Sequence, residues 1–291
     1  MTQQNLAWQS KLVLLLVLPF VGTGLFFECQ SWLREAPAVA VWTLGLSLLL
    51  GLITWQLRAA TPPAALTGAL ITASVMFSTV TTPYTPWHTA LIPTLAVSLL
   101  AFAATRVGRR KKEGLGTAEA RRGRQASQIA ANLGLAALVV SSPVQWWLVD
   151  KPWFPRYPHT GVALFAMVLA ALAEAAADTV SSEIGQVIGG RPRMITSLRA
   201  ADPGTDGAIT LTGTLAGIVA AAVVALAGTW ALRGDSLLFS LSGLGAIFGL
   251  FFDSVLGATL ESWGWLDNDG VNFLSTASAA AFALFLLVTW R

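Results

Sequence analysis

The chain is expected to fold as an all-α bundle of transmembrane helices, and three features of its sequence say so. Hydrophobic residues make up 55% of it and charged residues only 11%, whereas an ordinary soluble domain is about a quarter charged. The apolar residues fall in runs close to the ~20 residues a helix needs to cross a hydrocarbon core of about 30 Å. The cations are concentrated, eight of the eighteen Lys and Arg falling within residues 106–124. The same composition excludes a disordered chain, a coiled coil and a nucleic-acid-binding domain. One cysteine, Cys29, permits no internal disulfide, and two histidines, His88 and His159, leave no basis for a Cys/His zinc cluster.

Nine spans are predicted, at 12–27, 37–55, 63–82, 87–105, 127–148, 160–184, 207–232, 237–260 and 270–290. The first is short and holds Pro19, Gly22 and Gly24. No small-x-small cleavage pattern follows a clean apolar core, so it reads as a membrane segment rather than a signal peptide. No segment alternates at barrel spacing, and strands are not expected. The positive-inside rule puts the basic loop, 106–126, in the cytoplasm. Threading nine helices from that loop puts the amino terminus inside and the carboxyl terminus outside. Loop 185–206, with Arg191, Arg193 and Arg199, then falls on the cytoplasmic side as well. Residues 1–291 form one transmembrane domain of a cytoplasmic (inner) membrane, its active face cytoplasmic. Tryptophans such as Trp32, Trp55, Trp87, Trp230 and Trp290 stand near span ends, where an interfacial indole is expected. His88 and His159 stand at outer span ends and are assigned no chemistry.

Ionisable residues inside a span cost at least ~2.5–3.5 kcal/mol near its centre and mark functional candidates. Glu174, Asp178 and Glu183 lie in the sixth span; Asp253 lies in the eighth, with Glu261 at its end. Asp178 is about 27 Å along its helix and Asp253 about 24 Å along its own, so the two can share one layer near the cytoplasmic face. Glu174, Asp178 and Ser182 are spaced four apart and so share a helix face. Carboxylates held together in low dielectric repel unless a proton or cation sits between them. Mg²⁺ suits the position, because it takes oxygen ligands and is commonly held by one or two carboxylates plus substrate phosphates.

Other polar groups begin helices at the same face. Gln128 and Asn132 start the fifth span, and Asn268, Asp269 and Asn272 start the ninth. Thr205, Asp206 and Gly207 open the seventh after an Asp202-Pro203-Gly204 turn, and a glycine-rich helix entry of this kind is a place where phosphate can bind or a simple turn and cap. Gly213 and Gly217, four apart, suit close helix packing. Arg109, Arg110, Lys111, Lys112, Arg121 and Arg122 read as topology determinants and contacts to anionic lipid. Arg124, four residues before Gln128, is a candidate phosphate grip.

As a set these motifs resemble the domain-of-unknown-function 92 family, which includes transmembrane protein 19 and the plant phytyl-phosphate kinases. The resemblance runs from about residue 46 onward. It rests on Arg124, Gln128 and Asn132; Ala177-Asp178-Thr179 with Ser182-Glu183 and Gly185; Pro203-Gly204-Thr205-x-Gly207 with Gly213-Thr214; Asp253-Ser254 with Gly257; and Asn268-Asp269 with Val271-Asn272. Asp206 and Glu261 stand where that family commonly has asparagine and glutamine, and Glu174 is outside its pattern. The resemblance implies a membrane-embedded kinase that makes a prenyl diphosphate from a prenyl monophosphate and a nucleoside triphosphate, ATP or CTP, with Mg²⁺. On that reading Asp178, Glu183 and Asp253 are catalytic and hold Mg²⁺. Arg124, Gln128, Asn132, Ser182, Thr205, Gly207, Asn268, Asp269 and Asn272 would bind or orient phosphates. Two alternatives stand beside it: a secondary transporter using the intramembrane carboxylates, and another Mg²⁺-dependent lipid-phosphate transferase.

Overall fold

The computed structural model describes residues 7–118, 123–156 and 158–290; Arg121 and Arg122 of the basic loop lie outside them. Among the described residues the chain forms eleven α-helices, α1 (Trp8–Glu35), α2 (Pro37–Gln56), α3 (Pro62–Phe77), α4 (Leu91–Arg106), α5 (Arg109–Leu115), α6 (Ala126–Val140), α7 (Ser142–Val149), α8 (Thr160–Ile188), α9 (Leu211–Ala231), α10 (Ser236–Leu256) and α11 (Asn268–Thr289). Six of them, α1, α2, α8, α9, α10 and α11, are long and apolar enough to cross a bilayer. Eight spans result if the bent pairs α4–α5 and α6–α7 each count as one. The expected nine are not reached, because α3 has only 16 residues, about 24 Å of helix against a core of about 30 Å.

The bundle is organised around α8, which α4, α6, α9, α10 and α11 all pack against. Its hydrophobic stretch is 78% buried, whereas those of α1 and α2 are 28% buried. Alanine explains the difference. Ala163, Ala166, Ala170, Ala173 and Ala177 present no bulk, so neighbouring backbones come close. Gly217 of α9 completes one such contact: a Cβ there would stand 2.8 Å from the Ala177 carbonyl oxygen. The outer helices turn Leu15, Phe26, Val41 and Leu48 outward, as a lipid-facing surface requires.

Two breaks depart from the uniform spans expected from hydropathy. The run 127–148 divides at Ser141 and bends by 58° between α6 and α7. Pro143 sits in the first turn of α7, where its missing N–H is tolerated but a continuous helix is not. After α4, Gly108 adopts φ +58° and turns the chain by 67° into α5. A side chain at Gly108 would collide with Val187 of α8, so the basic loop is docked on the bundle. Loop 185–206 also differs from expectation. α8 runs on to Ile188, and β1 (Arg193–Met194) pairs antiparallel with β2 (Ala208–Ile209). This short ladder corrects the expectation of no strands; hydropathy at barrel spacing carries no signal for a two-residue pairing.

Lys112, expected to face lipid headgroups, is fully buried. Its ammonium donates to Glu183 and to the carbonyl oxygens of Ala104, at 3.1 Å, and Thr105, at 2.9 Å. The lysine thus joins α5, the end of α4 and the end of α8. Lys112→Met leaves a half-buried carboxylate and two carbonyls without their cation and is expected to destabilise the protein by about 1–3 kcal/mol, read as a lower Tm in detergent, whereas Lys112→Met with Glu183→Leu is expected to recover most of that loss.

Candidate active site

The acids of α8 and α10 meet at the end of the bundle that carries the basic loop. Asp178 and Asp253 approach within hydrogen-bonding range of each other, and Glu174 lies one turn below Asp178. Glu174 is 1% exposed. Space for it comes from Gly249 on α10, where a Cβ would stand 2.6 Å from the Glu174 Cγ. The Ser275 hydroxyl of α11 faces both Glu174 and Asp253, yet also stands 3.0 Å from the Asn272 carbonyl oxygen. The one hydroxyl proton is directed to the Asn272 carbonyl, so the two acids beside it compete for a donor already in use. Oε1 of Glu174 and Oδ2 of Asp253 are buried with no hydrogen-bond partner.

Arg124 supplies the positive charge nearest Asp178. Its Nη2 stands 3.4 Å from the Thr179 Oγ1, one residue along α8. The backbone fixes it there. The Arg124 N–H donates to Ala59 at 2.9 Å, and its carbonyl accepts from Thr61 at 3.0 Å. Gly123 makes this pairing fit, with φ +82° and room for no Cβ, which would stand 2.5 Å from Ala59.

α10 ends in a π-helical turn, Gly257–Glu261, a distortion frequent at functional sites. Here it follows from backbone crowding. Gly207, at φ +72°, abuts the turn so closely that a Cβ would stand 2.2 Å from the Ala258 nitrogen. Glu261 then comes within range of the charges of Asp206, Asp178 and Asp267. Thr205 is exposed in the same loop, and Thr210 caps α9 by accepting from the Gly213 N–H.

The remaining expected residues divide. Asn132 is buried and donates to the Gln128 carbonyl; Asn272 is buried beside Ser275. Gln128 instead closes a capping box, accepting from the Gln125 N–H at 2.7 Å. Ser182 is exposed and bonds back to Thr179. Glu183 is drawn away from Asp178 and Asp253 by Lys112. Asp269 accepts from Ser10 at 2.7 Å, which pins α11 to the start of α1, while Asn268 is exposed. Of the expected catalytic trio, then, two meet and the third is in an ion pair.

An oxygen-ligand cation is testable against these groups. Among the described residues no three Asp, Glu, His or Cys side chains close on one point at ligand distances. The Asp178–Asp253 pair, with an orphaned oxygen, does match an ion held by one or two carboxylates and completed by water and phosphate.

Beside this layer lies a groove, with about 1010 Å³ of free space, between α2, α3, α4 and α6. Its body is formed by Leu50, Ala65, Gly68, Val97, Ile129 and Leu133, and Arg58, Arg106, Arg109 and Arg124 stand along it. Ala175 of α8, one turn before Thr179, also lines it, so the groove and the acid layer share a wall. No stretch of sequence announces the groove, since its walls are assembled from several helices.

Residues 45–280 match the family model described as "Integral membrane protein DUF92". The chain belongs to the DUF92 family of integral membrane proteins. An uncharacterized membrane protein of Synechocystis is 32% identical over 70% of this chain and 75% of its own length. Protein VTE6, chloroplastic, from Arabidopsis thaliana is 28% identical over 67% of this chain and 59% of its own. Protein PGR from the same plant is 29% identical over 62% and 75%. No solved structure matches the chain. In this DUF92 protein, Gly207→Ala should cost about 1–3 kcal/mol locally and loosen loop 189–206. Faster tryptic cleavage after the exposed Arg193 and Arg199 is the expected readout, with wild-type cleavage rates counting against the docking.

Proposed function

We propose that this DUF92 protein is an integral-membrane kinase that converts a prenyl monophosphate, phytyl or another polyprenyl, to its diphosphate. The donor is a nucleoside triphosphate, ATP or CTP, and the reaction takes place at the cytoplasmic face of the membrane. The observation that carries the reading is the half-buried Asp178–Asp253 pair, with the Asp253 Oδ2 buried and unpartnered, braced by Arg124. The motif resemblance to the plant phytyl-phosphate kinases supports it. So does the concentration of cations at the same end of the bundle, which the positive-inside rule assigns to the cytoplasm.

An oxygen of the acceptor phosphate attacks the γ-phosphorus of the donor in line. The bond from that phosphorus to the β–γ bridging oxygen breaks, and the nucleoside diphosphate leaves. The attacking oxygen is already anionic, so no side chain has to take a proton. Catalysis then consists of positioning and charge neutralisation. Mg²⁺, which Asp178 and Asp253 would hold, supplies neutralisation of the donor phosphates. Arg124 sets the acceptor phosphate against that layer, and its rigid backbone pairing keeps the guanidinium in place. The Thr205–Gly207 turn and the amides of Asn132 and Asn272 orient phosphate oxygens. Glu183 acts at one remove, by holding Lys112 and with it the basic helix α5.

A transporter using these acids would need them reached from both sides of the membrane in turn. Their clustering at one end, beside a cation-lined groove, favours the kinase instead.

The test uses purified protein, prenyl monophosphates and labelled ATP or CTP. Asp178→Asn and Asp253→Asn should each lower diphosphate formation by about 10²–10³-fold while leaving Tm unchanged or raised, because each removes one of two facing acids. Loss of activity only in proportion to loss of folded protein would refute the assignment, and so would turnover undiminished by either change.

A further inference from the structure

The groove deepens the kinase reading by giving its acceptor a place. Although it carries five hydroxyl residues, its walls are apolar to an occupant. Thr54, Thr72, Thr94, Ser98 and Thr105 each donate to a carbonyl three or four residues earlier in the same helix. What they offer the groove is methyl and methylene. The groove exists because α4 packs chiefly on α8 and α9 and touches α3 little, leaving a gap on the outer side of the bundle. Its basic end is where α2, α4 and α6 bring their arginines together.

Arg58 is the informative member of that set. It follows the last turn of α2 with φ +55°, donates its N–H to Trp55, and lets Ala59 reach back to Thr54. Glycine is the residue usually found at such a helix end, because a Cβ is strained there. Glycine would relieve the backbone here, and the arginine instead places a guanidinium on the groove lining. Arg106 stands close by, donating to the Leu57 carbonyl at 3.1 Å and stacked over Phe102. Arg124 reaches from the groove to Thr179, and so to the acid layer. Planar guanidiniums around one anionic group are a phosphate-binding arrangement.

We infer that the groove between α2, α3, α4 and α6 binds a single-chain lipid phosphomonoester, its tail along Leu50, Ala65, Gly68 and Val97 and its phosphate held by Arg58, Arg106 and Arg124. This rests on the kinase reading, and it makes Arg58 a specificity residue for the acceptor and not for the nucleotide. The phosphate bound there lies beside the α8 face that carries Asp178, so that Arg124, which reaches both, would set it against the donor phosphates at the acid layer.

Two variants separate the groove from the fold. Arg58→Gly removes the guanidinium while relieving the backbone. Gly68→Leu fills the groove: a Cβ at Gly68 meets only Ile129, at 3.8 Å, so the backbone accepts it. Binding of labelled geranylgeranyl monophosphate to the full-length protein in nanodiscs is measured without nucleotide or Mg²⁺, with Tm alongside. The expected result is at least about tenfold weaker binding in each variant, an unchanged or raised Tm for Arg58→Gly, and, in the kinase assay, a raised KM for the acceptor with the nucleotide KM unmoved. Wild-type binding in both variants overturns the inference even if transfer proceeds, leaving the kinase reading intact. Competition by phosphatidylglycerol as strong as by the prenyl phosphate also overturns it, as does equal competition by inorganic phosphate. Weakened binding in both variants in a protein that transfers no phosphate sustains the groove and removes the kinase.

Discussion

Glu174, Asp178 and Asp253 meet where hydrogen-bond donors are too few for their oxygens, and much of the surrounding structure follows from that shortage. A buried carboxylate without compensation costs several kcal/mol. Gly249 yields volume so that Glu174 fits, which brings a third acid into the layer instead of keeping it out. The Ser275 hydroxyl beside Glu174 and Asp253 already donates to the Asn272 carbonyl. Arg124 is held rigidly by its pairing with Ala59 and Thr61. An arrangement built for stability alone would replace the acids with apolar residues of similar volume, at no loss and often a gain. On the kinase reading, acids gathered at one end of α8 and α10 form a layer suited to receiving a cation.

α8 makes the two halves of the site possible. Its alanines let α9, α10 and α11 approach where the acids point, while Ala175, three residues before Asp178 and so on an adjacent face, is open to the groove. A helix with larger side chains would hold its neighbours further off, and Asp253 on α10 would not reach Asp178. On the kinase reading the arrangement also has a chemical use. A lipid phosphate and a nucleotide triphosphate are both polyanions, and bringing them together in low dielectric requires cations between them. Arg124, touching both compartments, stands at that boundary.

The spans, the basic end and the meeting of Asp178 with Asp253 were legible in the sequence, because hydropathy, cation placement and helical depth are one-dimensional quantities. Depth along the chain predicts the meeting because both helices are regular up to the acids, the π turn of α10 beginning only at Gly257. What the sequence did not disclose are properties of pairs. Glu183 lies on the same helix as Asp178 and was grouped with it, but its carboxylate is committed to Lys112, 71 residues away along the chain. Gln128 and Asp269 stand at the right end of the bundle and spend their oxygens on a helix cap and on Ser10. Glu174 lay outside the recognised motif and yet completes the layer; the spacing of four from Asp178 was the signal that placed it. The bends at Ser141 and Gly108 had local signatures in Pro143 and in a lone glycine, which a reading tuned to apolar length passes over.

The basic loop shows why its cations cannot be treated as one class. A positive-inside count assigns the same role to every Lys and Arg near a span end, but burial separates them. Lys112 has no contact with solvent and is surrounded by two carbonyls and a carboxylate, an environment that suits a compact ammonium with three donors better than a planar guanidinium. Arg106 and Arg124 sit where planarity is used, one stacked on an aromatic ring and one beside a hydroxyl and a carboxylate. Lys111, exposed, donates to the Val187 carbonyl near the end of α8, where a cation meets the negative end of the helix dipole. At Arg106, Lys111, Lys112 and Arg124 the choice between lysine and arginine therefore follows the local geometry of each partner, and these described residues are docked on the bundle.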